Sequence, residues 1–153
     1  GYFLDRVVPA ALDARAVRQV QQQPDRFRAR LEAVVAAESS DARFEQVRTG
    51  AEFELFCAQE LERCGWRVSH TGAGRDQGAD LLAERAGERM VVQCKLLARA
   101  IGNQAVQQVA AARAHRQASR AVVVSNRRFT PACVELARAN GVELAHWRDL
   151  GAL

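Results

Sequence analysis

The sequence predicts an α/β layered domain, a mixed β-sheet flanked by helices in the order α-β-β-β-α-β-α-β, preceded by an N-terminal helical extension. Three observations point there. From Gly50 onward, segments of helical period alternate with short apolar or alternating runs. Two of the strand-like runs are joined by a tight turn, which makes part of the sheet antiparallel. Residues 1–49 contain no strand signal at all. The 153 residues suffice for one ordinary domain plus an extension and fall short of two full cores.

In the extension, residues 1–49, Pro9 leads into Ala10–Val20 with Leu12, Val17 and Val20 roughly on one face. Pro24 interrupts the pattern before Phe27, Leu31, Val34 and Val35 resume it, and Glu38–Ser40 reads as a loosening. Packing on the main domain, linkage to further sequence and a part in a dimer all stay open for this arm. In the domain proper, residues 50–153, Ala51–Cys64 is the first helix, with Phe53, Leu55, Phe56 and Leu61 on its apolar side and Gly65 as its stop. Trp66–Thr71 is a short strand, followed by a polar loop through Gly72, Gly74 and Gly78. Ala79–Glu84 and Arg89–Lys95 form a hairpin around Ala86-Gly87-Glu88. Gly102–Ser119 is the second helix, Ala121–Ser125 a buried strand, Pro131–Asn140 the third helix and Val142–His146 the last strand.

Composition narrows the class. Apolar residues make up 48% and charged residues 26%, as in soluble globular chains rather than disordered ones. No apolar run is long enough to span a bilayer, and the first residues do not read as a signal peptide. The chain opens on Gly1 rather than Met, which leaves a preceding segment open. Cys57, Cys64, Cys94 and Cys133 form no C-x-x-C pair, so the expectation is reduced thiols in a cytoplasmic protein without a structural zinc. His70, His115 and His146 are equally dispersed and give no histidine centre. A net charge of +4 is compatible with binding nucleic acid through phosphate contacts without demanding it. The kind of base says more, because of 22 basic residues all but one are arginine, and the exception is Lys95.

Asp80 falls near the start of one hairpin strand, Gln93 and Lys95 at the end of the next. Antiparallel pairing brings those two places together. Residues 93 and 95 share a sheet face, with Cys94 opposite. A carboxylate, an amide oxygen and an amine converging at one edge suit phosphodiester hydrolysis. Asp80 can bind a hard divalent cation such as Mg²⁺, and Gln93 can offer its carbonyl as a neutral second ligand. Lys95 can position or deprotonate the attacking water and offset charge on the phosphorane. Arginine stays protonated and cannot accept that proton, which gives a reason for lysine at this one place.

Three stretches carry a resemblance: Gly50-Ala51-Glu52-Phe53-Glu54, Gly72-Ala73-Gly74-Arg75-Asp76-Gln77-Gly78-Ala79-Asp80 and Val92-Gln93-Cys94-Lys95. Together they resemble the Mrr-type catalytic domain of the PD-(D/E)xK, restriction-endonuclease-like superfamily. The similarity runs from about Gly50 to the C-terminus and includes Ser125-Asn126-Arg127-Arg128-Phe129-Thr130. It implies a restriction-endonuclease-like fold, Mg²⁺-dependent DNA cleavage in defence or DNA processing, and a core of Asp80, Gln93 and Lys95. Glu54 then assists at the metal, and Mn²⁺ is expected to substitute for Mg²⁺. Two departures matter. Ala79 stands where the superfamily has proline, and Gln93 replaces an acidic residue, which lowers negative charge at the metal.

Other residues have plainer readings beside the functional one. Glu52 neighbours Glu54 and is easily mistaken for it. Asp76 shapes its turn. The glycines at 72, 74 and 78 do not follow a strand-to-helix turn, so they permit tight turns and close backbone approach rather than nucleotide binding. Asn103, Gln104, Gln107 and Gln108 read as a solvated helix face. Arg75, Asn126, Arg127 and Arg128 are the expected DNA contacts, the last three in a loop after a buried strand, where ligands gather in α/β sheets. A DNA-binding module that has kept the fold and lost catalysis, and a junction or repair nuclease on the same scaffold, remain alternatives. Cutting both strands needs two active sites, which raises the expectation of a homodimer.

Overall fold

The computed structural model describes residues 24–72 and 78–153. The helix expected over Ala10–Val20 and the loop residues Gly74 and Arg75 lie outside them. The first described element is helix α1, Pro24–Phe44. Its backbone runs unbroken through Glu38–Ser40, where a loosening was expected. Serine in mid-helix costs only a few tenths of a kcal/mol against alanine, too little to open a helix rich in alanine. Val34, expected on an apolar face, is 51% exposed. The chain divides after Arg43, and the unit Phe44–Leu153 holds the sheet and all that follows.

Helix α2, Gly50–Arg63, starts on a reciprocal cap. Thr49 Oγ1 accepts from the Glu52 N–H (3.2 Å), while Glu52 Oε2 accepts from the N–H groups of Thr49 (2.9 Å) and Arg48 (2.6 Å). Those backbone donors, Arg48's first, hold the Glu52 carboxyl below its ordinary range. Phe53, Phe56, Cys57, Ala58 and Leu61 form the buried face. Leu55, expected beside them, is 51% exposed; it lies about 200° around the helix from Phe53, on the opposite side.

Five strands lie in spatial order β1-β2-β3-β4-β5: Arg67–His70, Leu81–Arg85, Glu88–Lys95, Arg120–Ser125 and Glu143–His146. The first three are antiparallel neighbours, and β3, β4 and β5 run parallel. The β2–β3 turn is tighter than expected, since Glu88 already pairs with Arg85. Ala86 and Gly87 both take positive φ (50° and 80°), as a two-residue type I′ turn requires. Parallel pairing needs crossovers, supplied by α3 (Asn103–His115) and α4 (Pro131–Asn140). Helix α3 stops short of Ser119, where Gln117 turns left-handed at φ 52°. A closing 3₁₀ turn, Trp147–Ala152, has no counterpart in the sequence expectation.

The sheet is covered on both faces. Phe53, Leu61, Leu81, Met90, Val92 and Val124 pack on the α2 side, and Phe44 stacks on Trp147 there at 4.2 Å. Val91, Ile101, Val106, Val109, Val123 and Cys133 pack on the α3–α4 side. Each fully buried side chain of this kind contributes about 1.5–3 kcal/mol, so the register of β3 is held from both faces. A one-residue slip would invert every side chain on it. Cys94 accordingly packs on the α2 side, while Gln93 and Lys95 alternate to the other.

Candidate active site

One end of the sheet collects the polar residues. His70 pairs with Leu81 and Leu81 with Val92, while Lys95 pairs with Ser125 and Ser125 with His146. Asp80 sits immediately before β2, between the ends of β1 and β3. Its N–H donates to the Val92 carbonyl (2.8 Å) and its carbonyl accepts from the Thr71 N–H (3.0 Å). Asp80 Oδ2 accepts from the Cys94 N–H at 2.7 Å. The carboxylate thus takes a backbone partner from β3, and the main chain of Asp80 is held between β3 and Thr71, the residue after β1. Burial pushes its carboxyl above the ordinary aspartate range; the Cys94 N–H pulls it back, the Glu54 charge raises it again and the Lys95 ammonium lowers it.

Glu54 reaches this edge from α2, because burial of Phe53 and Cys57 on either side sets the rotation of the helix. Its Oε1 lies 2.8 Å from His70 Nδ1. His70 was not singled out from the sequence, where it is a lone histidine at the end of a short strand. Its contact with Glu54 exists only once β1 is laid against α2.

Gln93 is 7% exposed, and its side-chain carbonyl Oε1 is buried without a hydrogen-bond partner among the described residues. Such an oxygen costs about 1–3 kcal/mol when left unpaired. Lys95 lines a cleft of about 380 Å³ with Arg99 and the first turn of α3, residues 102–105. Gly102 caps that helix without a side-chain hydrogen bond, so its leading N–H groups are left for a ligand or solvent. Among the described residues no three His, Cys, Asp or Glu side chains cluster to hold a metal ion. The oxygen donors at hand are two carboxylates, Asp80 and Glu54, and the orphaned Gln93 carbonyl, a set that fits a hard cation better than a soft one. The thiol of Cys94 packs on the α2 side, away from the Gln93 and Lys95 face, where its hydrogen bond with Cys57, and burial, push it well above its ordinary range.

The expected DNA contacts divide. Asn126 spends both side-chain groups on Leu97, accepting from its N–H (2.9 Å) and donating to its carbonyl (3.0 Å). It therefore clamps the loop after β3 to the loop after β4. Arg127 Nε donates to the same carbonyl (3.1 Å), whereas the side chains of Arg99 and Arg128 make no hydrogen bond or ion pair among the described residues. Other arginines have structural work. Arg85 stacks over Trp66 at 4.0 Å and donates to the Leu153 carbonyl, and Arg120 grips Glu143 through two bonds of 2.7 and 2.8 Å.

The Mrr catalytic family, described as restriction endonuclease, matches residues 46–153. The chain belongs to that family. Restriction-endonuclease domains generally use divalent metals, which agrees with the oxygen donor set of this Mrr-family domain. No curated protein matches the chain. Solved structures similar to it include the following two. One is the crystal structure of AF1548, a protein of unknown function, with a TM-score of 0.54 and 20% identity over 61% of this chain and 56% of that one. The other is the MspJI restriction endonuclease in complex with a 27-mer oligonucleotide, with a TM-score of 0.47 and 18% identity over 96% of this chain and 35% of that one. The chain thus spans less than two thirds of either, and the likeness to the first is one of fold alone. Among the described residues no helix is long and apolar enough to cross a membrane.

Proposed function

We propose that this Mrr-family domain is a divalent-metal-dependent DNA endonuclease, with Mg²⁺ as its ion and Mn²⁺ able to substitute. The observation that carries the reading is the orphaned Gln93 carbonyl beside a carboxylate that burial leaves short of compensation. Both deficits are met by one cation. Asp80, Gln93 and Glu54 would hold the ion, with His70 orienting Glu54 as an outer partner orients a ligand. When bound, a divalent ion supplies polarisation of the phosphoryl oxygens and a water of lowered pKa. Lys95 positions or deprotonates the attacking water and offsets charge building on the phosphate. The free N–H groups at the start of α3 receive a phosphate oxygen. Arg127 and Arg128 neutralise flanking phosphates, so affinity for DNA falls steeply with added salt.

The second reading, a DNA-binding module with little catalysis, draws on Gln93, a neutral group where the superfamily has an acidic residue. Plasmid nicking under Mg²⁺ titration separates the two. The nuclease reading expects nicking by the wild type and none by Lys95→Ala. Lys95→Arg is also inactive, because it keeps the charge and loses the titratable amine. Gln93→Ala is impaired and partly rescued by excess Mg²⁺ or Mn²⁺, and Gln93→Glu holds or gains metal affinity. Full activity of Gln93→Ala would remove the ligand assignment. A silent wild type with an active Gln93→Glu establishes the binding module.

A further inference from the structure

We infer that a groove at the carboxyl ends of β4 and β5 receives an unpaired nucleotide of the DNA strand, its phosphate against arginine and its base against an apolar floor. The inference rests on the DNA-acting reading above and adds to it the form of substrate. The groove has a volume of about 760 Å³. Arg99, Arg127, Arg128 and His146 line it, and among the described residues no carboxylate does. Phe129, Leu144 and Val134 add apolar lining. Val134 is 38% exposed and is one of few large hydrophobic residues in the open among the described residues.

That mixture selects the ligand. A duplex presents phosphates outward and keeps its bases stacked, so its backbone needs only basic side chains on a surface. A recess that is half apolar stays unfilled by such a backbone. A nucleotide freed from the stack carries an anionic group and a flat apolar face on one unit, and apolar and guanidinium surfaces take up such faces. His146 adds a directed donor. Its Nδ1 accepts from the Arg148 N–H (3.3 Å), so the neutral ring carries its proton on Nε2.

The groove is built before a ligand arrives. Ile101 and Phe129 form a bridge between the loops that follow β3 and β4. The Ile101 N–H donates to the Arg128 carbonyl (2.9 Å) and the Thr130 N–H to the Ile101 carbonyl (3.0 Å). The Asn126–Leu97 clamp closes the same pair of loops. Arg99 and Ala100 line both this groove and the cleft that contains Lys95. A strand with one phosphate at Lys95 therefore carries an adjoining nucleotide toward the groove, and that nucleotide enters it only when unpaired, as in an overhang or an extruded base.

The test is fluorescence anisotropy on the full chain in EDTA, where cleavage plays no part. The probes are a short blunt DNA duplex and the same duplex with a single-stranded thymidine overhang. The wild type should prefer the overhang by about fivefold, the low end of what stacking a base on protein contributes. Val134→Gln takes apolar surface from the recess without altering charge and should reduce the preference while leaving affinity for the blunt duplex. Arg128→Ala provides a second variant should the glutamine disturb folding, which circular dichroism reads, and it too should reduce the preference. Equal affinity of the wild type for both probes overturns the groove, as does a preference that survives both substitutions. Absence of binding to any DNA would overturn the nuclease reading as well, and the Lys95 variants test that reading separately in the nicking assay.

Discussion

Gly78 is where the backbone leading to Asp80 touches the rest of the domain, and replacing it with alanine should be costly. Its φ is +59°, and a Cβ built there would overlap the Gln108 carbonyl, 2.6 Å from its carbon and 3.0 Å from the Gln108 Cα. The obstacle is the backbone of α3, which no rotamer change can move. Val106 and Val109 are fully buried and hold that helix down. The left-handed conformation costs alanine about 1–2 kcal/mol, and forced overpacking about 1–3 kcal/mol. Together they amount to roughly 2–5 kcal/mol, and at about 4 °C per kcal/mol for a domain of this size the Tm should fall by ~8–20 °C. Gly72→Ala is the control. It also has positive φ (+85°), but no described residue lies within 4 Å of its added Cβ, so only the conformational part remains, a fall of ~4–8 °C. Thermal unfolding by circular dichroism measures both, with nicking rates taken well below each Tm. If the loop lifts from α3 to relieve the clash, the Tm loss shrinks and nicking falls, because Asp80 is two residues along. A Gly78→Ala protein that matches Gly72→Ala in Tm and the wild type in nicking would refute the contact.

Two further outcomes follow from the site. Burial, the largest influence on Asp80, raises its folded-state pKa, so the folded protein holds that proton more tightly than the unfolded chain. Its contribution is then fully favourable below the ordinary aspartate range and is lost as pH rises through the raised value. Asp80→Asn should accordingly raise the Tm at neutral pH in EDTA, lose that advantage in acid and abolish nicking; a lower Tm at neutral pH would contradict the assignment. His70→Ala should raise the Mg²⁺ concentration needed for half-maximal nicking by about tenfold, as removal of an outer partner does, with little change in Tm because His70 is half exposed. Metal titrations read this, and an unchanged midpoint would remove the orienting role.

The legible parts of this fold are those with local causes. Helix α4 is bracketed by Pro131 and by Gly141 at φ 63°, and Ala121–Ser125 is an apolar run short enough to be a strand. The alternation of Val91, Val92, Gln93, Cys94 and Lys95 is a period-two pattern that fixes which side chains share a face. What escaped depends on contacts distant in sequence. Leu55 looks apolar, and only the placement of Phe53 and Phe56 against the sheet leaves it outside. Glu52 is distinguished from Glu54 by a reciprocal bond to Thr49, a spacing that the sequence displays and that a search for metal ligands passes over. Asn126 carries the chemistry of a DNA contact, yet its amide matches the peptide group of Leu97, which lies in another loop. His70 acquires meaning only from the Glu54 carboxylate across α2 and β1.

The choice of glutamine at position 93 can be understood from the same balance of charge. Glu54 already adds to the upward shift that burial imposes on Asp80. A third carboxylate at a position only 7% exposed would add both desolvation and like-charge repulsion, each of which disfavours ionisation. Glutamine supplies an oxygen of similar reach without a formal charge, so the apo domain carries one orphaned acceptor instead of a buried anion. The consequence is weaker attraction for a divalent ion, set against less strain in its absence. Under the nuclease reading, Lys95 then faces a site of lower negative charge, where its positive amine is less neutralised and exerts more of its field on the phosphate. On that account Gln93→Glu should bind metal more tightly and yet be less stable than the wild type in EDTA. These two effects have opposite signs and one electrostatic origin.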